Sequence, residues 1–383
     1  MAEQRVPFFR PSIEDRDVEA VVGSLRSGWI TTGPNVNQLE EELAAYTGAR
    51  YVNAVNSCTA AMHLALEAWD IGPGDEVITS VYTFTATANV ILHTGASPVL
   101  VDVMDNGTAN IDPEAIERSI TPRTKAIIPV HFAGEPCDMD AIRDIAGRHG
   151  VKVLEDAAHA IGALYHGRAI GTLSDATAFS FYANKNMTTG EGGALATDDE
   201  ALSERVRLLT LHGMSRDAWR RYDAGGSWRY DIAEFGWKYN LPDMAAALGR
   251  QQLARLDHFI EERTRVARRY YANLRDVEEL LLPGFDEANR QAWHLLVVRV
   301  TDKAKASRDD VIRRLAERGI GTSVHFIPLH LFTAYRDLGD WKESDFPVAE
   351  RFFSGAISLP MFPELREDEV DLVCEELVAA VRG

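Results

Sequence analysis

Short apolar runs alternate with helically spaced stretches through the first two-thirds of the chain. The runs Glu76–Thr79, Val99–Val103, Ala126–His131, Val151–Leu154, Ala176–Phe181 and Ala194–Thr197 predict strands. Between them, Thr59–Trp69, Pro113–Ser119 and Met139–His149 place apolar residues at helical intervals. The strand runs lack strict alternation, as in strands buried on both faces. Strand and helix in alternation predict an α/β domain with a mostly parallel sheet. Near Pro242 the pattern changes: Met244 to about Arg275 reads as one long helix, and Pro283 and Gly284 mark a break after it. A strand-like Trp293–Val300, a helical Arg308–Arg318, an extended Thr322–Ile327 and a last helix from about Glu367 predict a smaller α+β domain. The expected division is 1–250 and 251–383.

Composition narrows the function classes. The chain has 383 residues, a length that suggests two domains. Its 46% hydrophobic and 26% charged residues are those of a globular protein with a large core, which excludes disorder and fibrous repeats. Lys and Arg number 40 against 58 Asp and Glu, a net charge of −18. That is the wrong sign for a nucleic-acid binder, although a helix N-terminus can still hold a phosphate. Cys58, Cys137 and Cys374 are too few and too scattered for a disulfide framework or a zinc cluster, so no metal is expected. Reduced thiols suit a cytoplasmic protein. Met1 to Ser12 lacks the apolar core of a signal peptide, and no stretch approaches about 18 uninterrupted apolar residues, so no membrane partner is expected.

Four stretches carry candidate chemistry. Val153-Leu154-Glu155-Asp156-Ala157-Ala158-His159 runs an apolar strand into an acid. Ligands of open α/β sheets gather beyond the carboxyl ends of strands. The plain alternatives are a solvated strand end for Asp156 and a structural imidazole for His159. Phe179-Ser180-Phe181 leads through a polar turn holding Lys185 to Gly190-Glu191-Gly192-Gly193, a hairpin returning to a strand. A lysine can form a Schiff base with pyridoxal phosphate, which also needs a carboxylate at its pyridine nitrogen; a solvated lysine is the alternative. Ser57-Cys58-Thr59-Ala60 opens a helix whose free amides and dipole either hold a phosphate or are simply capped. Cys58 has no basic neighbour to activate its thiol. Phe84, within Tyr82-Thr83-Phe84-Thr85-Ala86-Thr87, follows a strand end, where it stacks on a flat ring or joins the core.

Taken in order, Ser57-Cys58-Thr59-Ala60-Ala61, Thr83-Phe84-Thr85-Ala86-Thr87, Pro129-Val130-His131-Phe132-Ala133-Gly134, Glu155-Asp156-Ala157-Ala158-His159-Ala160 and the Ser180 to Gly193 segment resemble the DegT/DnrJ-type sugar aminotransferases. These are pyridoxal-phosphate enzymes of fold type I, the aspartate aminotransferase-like fold. The likeness runs from Ser27-Gly28-Trp29-Ile30-Thr31-Thr32-Gly33-Pro34 to Ser358-Leu359-Pro360-Met361-Phe362-Pro363. It implies a large, mostly parallel-sheet domain and a small C-terminal α+β domain. Lys185 would hold pyridoxal 5′-phosphate through an imine and shuttle a proton. Asp156 would pair with the pyridinium nitrogen, Phe84 stack on the ring, and His159 lie near the ring's 3-hydroxyl. Thr59, the Cys58 amide and Ser180 would bind the phosphate. The family usually has Gly at the position of Cys58, but only the backbone amide is needed there. Members form homodimers with shared active sites; Gly236–Leu241 would reach the partner's phosphate through Asn240, or through Lys238 as its substitute.

With lysine at position 185, where some relatives carry histidine and act as dehydratases, the resemblance implies transamination. The amino donor, L-glutamate, would convert the cofactor to pyridoxamine phosphate, whose amine passes to a keto sugar on a nucleoside diphosphate. Gly28-Trp29-Ile30-Thr31-Thr32, Trp237-Lys238-Tyr239-Asn240 and Ala292-Trp293-His294-Leu295 are similar to the subgroup that makes UDP-4-amino-4-deoxy-L-arabinose, which favours the 4-keto position. Val324-His325-Phe326-Ile327-Pro328-Leu329-His330 follows the broader family and is expected to line the sugar pocket. Thr31, His330 and Arg229, with Arg221 as the alternative to Arg229, are the expected substrate contacts. Two other readings are a keto-cyclitol aminotransferase, which needs no diphosphate site, and a cofactor-binding regulator with little turnover. The regulator predicts a DNA-binding module or basic patch, and the acidic chain shows neither. A nicotinamide enzyme lacks its expected Gly-x-Gly-x-x-Gly after a first strand.

Overall fold

The computed structural model describes residues 5–214, 230–286, 288–339 and 341–383. Twelve strands are present among them: β1 Tyr51–Val55, β2 Glu76–Ser80, β3 Ser97–Val101, β4 Thr124–Ile128, β5 Lys152–Asp156, β6 Leu164–Tyr165, β7 Arg168–Ala169, β8 Ala176–Ser180, β9 Gly193–Thr197, β10 Leu280–Leu281, β11 Leu296–Val300 and β12 Ala356–Leu359. Seven form one sheet in the order β1-β9-β8-β5-β4-β2-β3. The two pairs that include β9 are antiparallel and the other four are parallel, so β9 alone runs against the rest. β6 and β7 make a hairpin of their own, and β10, β11 and β12 form a separate antiparallel sheet.

The strands of the large sheet read as unbroken apolar runs because both faces are covered. Ile78, Ile127 and Val153 point into one core, while Val77, Ala126, Ile128 and Leu154 point into another. A further core joins the last third of the chain. There, Val266, Tyr270 and Leu274 of the helix Leu256–Leu274 meet Val370, Val373 and Leu377 of the helix Glu367–Arg382 over the second sheet.

The expected α/β architecture is present, with local differences. β1 was not expected as a strand. Val99–Val103 and Ala126–His131 overrun strands that end at Val101 and Ile128, because the following apolar residues Val103 and Val130 are buried in loops. The expected long helix is two, Asp243–Leu253 and Leu256–Leu274. Between them Arg255 is buried and ion-paired with Asp17 and Glu14. Thr322–Ile327 forms no strand; Ser323 makes a single bridge to Ser358. The expected division at 250/251 falls inside the helix Asp243–Leu253.

Register decides where chemistry can gather. Val55 of β1 and Ser180 of β8 both face Gly193, the first residue of β9, and Asp156 of β5 faces Ala178. The carboxyl ends of three parallel strands therefore open at one edge.

Candidate active site

The helix Cys58–Ala68 starts just beyond β1. Ser57 caps it, accepting the Ala60 amide at 3.1 Å through its hydroxyl and the Ala61 amide at 3.1 Å through its carbonyl. The amides of Cys58 and Thr59 are left to partners outside the helix. Gly193 lets this N-terminus close on the sheet. A Cβ there would sit 2.5 Å from the Cys58 nitrogen and 2.6 Å from the Phe179 carbonyl oxygen.

Asp156 ends β5 and is buried. Its Oδ2 accepts the Thr87 hydroxyl at 2.8 Å and its Oδ1 the Ala158 amide at 3.1 Å; the Cys58 sulfur lies 3.9 Å from Oδ1. Lys185 sits in the loop after β8, its amide donating to the Tyr182 carbonyl at 2.9 Å. The loop is closed by the Thr189 amide on Phe181 and the Phe181 amide on Gly192, each at 2.9 Å. Burial pushes the Lys185 amine down to about 8, against the opposing pull of Asp156. Burial, reinforced by Asp156, pushes the Cys58 thiol well up, so it is a neutral packing group and a poor nucleophile.

Phe84 caps the N-terminus of the helix Thr85–His93, and its ring is 60% exposed, 6.0 Å from Phe326. The His159 ring lies between Phe326, stacked at 5.8 Å, and His294 at 4.3 Å. Burial first, then the Lys185 charge and neighbouring imidazoles, holds His159 and His294 well below the ordinary histidine range; burial and Lys185 take His325 down to about 4. Each of the three rings is therefore disfavoured from carrying a second proton. The His294 tautomer follows from its network. Asn186 gives its amide to the Ala292 carbonyl at 2.6 Å, so its oxygen, 3.3 Å from His294 Nδ1, is the acceptor and Nδ1 carries the hydrogen.

Cys58, Thr59, Phe84, Asp156, His159, Ser180 and Lys185 line a single cavity of about 390 Å³, a size common for small-molecule sites. Other expected residues lie elsewhere. Asn240 donates to the Thr32 hydroxyl at 2.7 Å and contacts Lys238, outside this chain's cavity. Thr31 is exposed, with its carbonyl accepting the Asp243 amide at 3.0 Å. His330 is buried and does not line the cavity, its Nε2 2.7 Å from Glu350 Oε1 and its ring 4.9 Å from Phe346. Of its segment, His325 and Phe326 line the cavity. Arg229 and Arg221 lie outside the described residues. His294 and Asn184 also line the cavity and were not expected as site residues. The available signal for His294 was its position at the start of the strand-like run Trp293–Val300.

Pyridoxal 5′-phosphate needs an amine, a carboxylate and an anion cradle in one cavity, and the residues present fit it. His159 Nδ1 and Asn184 Oδ1, both on this cavity's wall, are buried without a hydrogen-bond partner. The amides of Cys58 and Thr59 open the helix Cys58–Ala68 at the cavity, where a helix N-terminus favours an anion. Among the described residues no cluster of three His, Cys, Asp or Glu is placed to hold a metal, and no helix is long and apolar enough to cross a membrane.

Comparison with known proteins agrees with this geometry. Over 380 residues the chain is 50% identical to the spore coat polysaccharide biosynthesis protein SpsC of Bacillus subtilis, covering 99% of this chain and 97% of that protein. The putative sugar aminotransferase Spr1654 of Streptococcus pneumoniae, solved in PMP-form and PLP-form, superposes with TM-scores of 0.93 and 0.92 at 35% identity. The PMP-form match covers 98% of this chain and 99% of that one, and the PLP-form match 98% of each. Helicobacter pylori PseC, an aminotransferase involved in pseudoaminic acid biosynthesis, gives 0.91 at 28% identity, over 98% of this chain and 99% of that one. Residues 11–378 match a single family model, and the chain belongs to the DegT/DnrJ/EryC1/StrS aminotransferase family, with the fold type I architecture and the pyridoxal-phosphate cofactor that go with it.

Proposed function

We propose that the protein is a pyridoxal-phosphate-dependent aminotransferase that moves an amino group from L-glutamate to a keto sugar carried on a nucleoside diphosphate, with the 4-keto position favoured. The observation that carries this reading is the meeting of Lys185 and Asp156 in one cavity that also holds an anion-binding helix N-terminus. A sugar acceptor is supported by the relatives, a polysaccharide biosynthesis protein and sugar aminotransferases.

When bound, the cofactor supplies an electron sink for proton removal beside the transferred nitrogen. Lys185 would attach it and, once freed as an amine, would take and return that proton. Asp156, fixed at both oxygens, accepts from the ring nitrogen. The amides of Cys58 and Thr59 and the Ser180 hydroxyl donate to the phosphate. Phe84 would stack on the ring, and His159, whose Nδ1 has no partner, would serve its 3-hydroxyl. Residues 1–250 serve cofactor binding; residues 251–383, through His294 and His325, face the acceptor.

The active form in this proposal is a homodimer. Trp29 and Ile30, 50% and 52% exposed, lie beside the Thr32–Asn240 link, an apolar patch suited to a second copy whose cavity Asn240 or Lys238 completes. Three free, buried cysteines suit the reducing cytoplasm. The test is a screen of keto-sugar nucleotides against glutamate-loaded enzyme, read by product mass. An amino-sugar nucleotide is expected. Turnover of a keto-cyclitol instead would overturn the acceptor class, and protein unable to bind pyridoxal phosphate would overturn the whole reading.

A further inference from the structure

We infer that Thr87, backed by Thr83, is a positioning residue that fixes Asp156 relative to the ring covered by Phe84. The inference rests on the proposed role of Asp156 at the ring nitrogen. The Thr87 hydroxyl lies 2.8 Å from Asp156 Oδ2, 3.3 Å from the Phe84 carbonyl and 2.9 Å from the Thr83 hydroxyl. Thr87 has one hydrogen to give, and an ionised carboxylate only accepts. The shorter bond takes that hydrogen, so Thr83 must donate to Thr87, and the chain of bonds runs one way, from Thr83 through Thr87 to Asp156.

Both threonines are buried, Thr83 at 1% and Thr87 at 0% exposure. Valine would fill the same volume without a hydroxyl, and a buried hydroxyl is unfavourable unless it is bonded. The hydroxyls therefore serve the carboxylate rather than the packing. The Ala158 amide already holds Oδ1, so Thr87 on Oδ2 removes the remaining rotation of the carboxylate. The link also joins two segments that the sheet keeps apart. Thr83 and Thr87 follow β2, Asp156 ends β5, and β4 lies between those strands. Phe84 rides on the same segment as the two threonines, so the link sets the gap between the ring-covering side chain and the ring-nitrogen partner. Thr83 lines the cavity but Thr87 does not, so Thr87 acts through Asp156.

The experiment uses holoenzyme reconstituted with pyridoxal 5′-phosphate carrying nitrogen-15 in the ring. Thr87→Val, Thr87→Ser and Thr83→Val are compared with wild type and Asp156→Asn. Thr87→Val is expected to move the ring-nitrogen resonance toward the Asp156→Asn position. It is also expected to raise the cofactor dissociation constant about ten-fold, the loss of one hydrogen bond to a charged group. Its kcat should fall in both half-reactions with KM little changed. Thr87→Ser should restore the wild-type resonance, and Thr83→Val should shift it part of the way. A wild-type resonance in Thr87→Val, with Asp156→Asn displaced, overturns the inference and leaves the role of Asp156 standing. A wild-type resonance in Asp156→Asn overturns that role and the inference with it. Where Thr87→Val yields no folded holoenzyme, Thr83→Val decides, and a wild-type resonance there refutes the chain of bonds.

Discussion

Gly193→Ala tests the phosphate site through a substitution that adds one methyl group and removes nothing. A Cβ at this position meets the Cys58 nitrogen and the Ser57 carbonyl carbon at 2.5 Å and the Phe179 carbonyl oxygen at 2.6 Å. All three are backbone atoms, so no side chain can swing aside. Reaching an ordinary contact of 3.4 Å requires the start of the helix Cys58–Ala68 to withdraw by about 0.9 Å. A donor displaced that far from an oxygen it binds at about 2.9 Å is no longer a hydrogen-bond donor to it. Overpacking costs about 1–3 kcal/mol, and weakening the amide bonds to a charged phosphate costs about 1.5–3 kcal/mol each. A loss of about 2.7 kcal/mol in cofactor affinity is a hundred-fold. The assay titrates apoprotein with pyridoxal phosphate and, separately, with pyridoxal, which lacks the phosphate. Gly193→Ala should weaken the first about a hundred-fold and the second far less, with the thermal midpoint lowered by a few degrees. Equal losses for both ligands, or none, would show that the phosphate does not sit at this helix N-terminus.

Lys185→Ala should abolish turnover and leave no cofactor attached after borohydride reduction; any full-rate variant removes Lys185 from the mechanism. Cofactor uptake by apoprotein needs the neutral amine, so its rate should rise about ten-fold per pH unit and level off above about 8, as stopped-flow absorbance would record; a rise continuing toward 10.5 contradicts the burial argument. Ile30→Glu places a charge on the exposed apolar patch and should shift the sedimentation profile toward monomer with loss of activity; an unchanged dimer would place the interface elsewhere. His330→Ala strands the Glu350 carboxylate beside a buried gap and should lower unfolding stability by about 1–3 kcal/mol while sparing acceptor KM, whereas a KM effect alone would restore His330 to the substrate site.

Lys185 and Asp156 were legible in the sequence because each lies at or shortly after a strand end, and register brings such ends together. Phe84 was legible for the same reason. The helix start at Cys58 was legible from the small and hydroxyl residues that open it. His294 and His325 reach the cavity from more than a hundred residues away, along elements whose packing no local pattern specifies. β1 escaped notice because Asn53 interrupts its apolar run; the fold buries that amide, its oxygen accepting the Ser203 hydroxyl at 2.9 Å. The break between the helices ending at Leu253 and starting at Leu256 carries no glycine or proline. Its cause is tertiary, the burial of Arg255 against Asp17 and Glu14 from the first helix of the chain. His330 misled because a histidine beside pocket-lining residues looks functional, and its partner Glu350 lies in a helix that no motif links to it.

The small antiparallel sheet anchors two imidazoles of the cavity wall. β11 begins two residues after His294, and His325 Nδ1 lies 2.8 Å from the Ser358 hydroxyl in β12. Both imidazoles are thus mounted on one rigid plate, while the amine, the acid and the anion cradle are mounted on another. In the proposed function, substitutions at the roots of β11 and β12 would re-aim these imidazoles toward a different acceptor, and His294 would carry part of that change to Asn186, beside Lys185, and to His159.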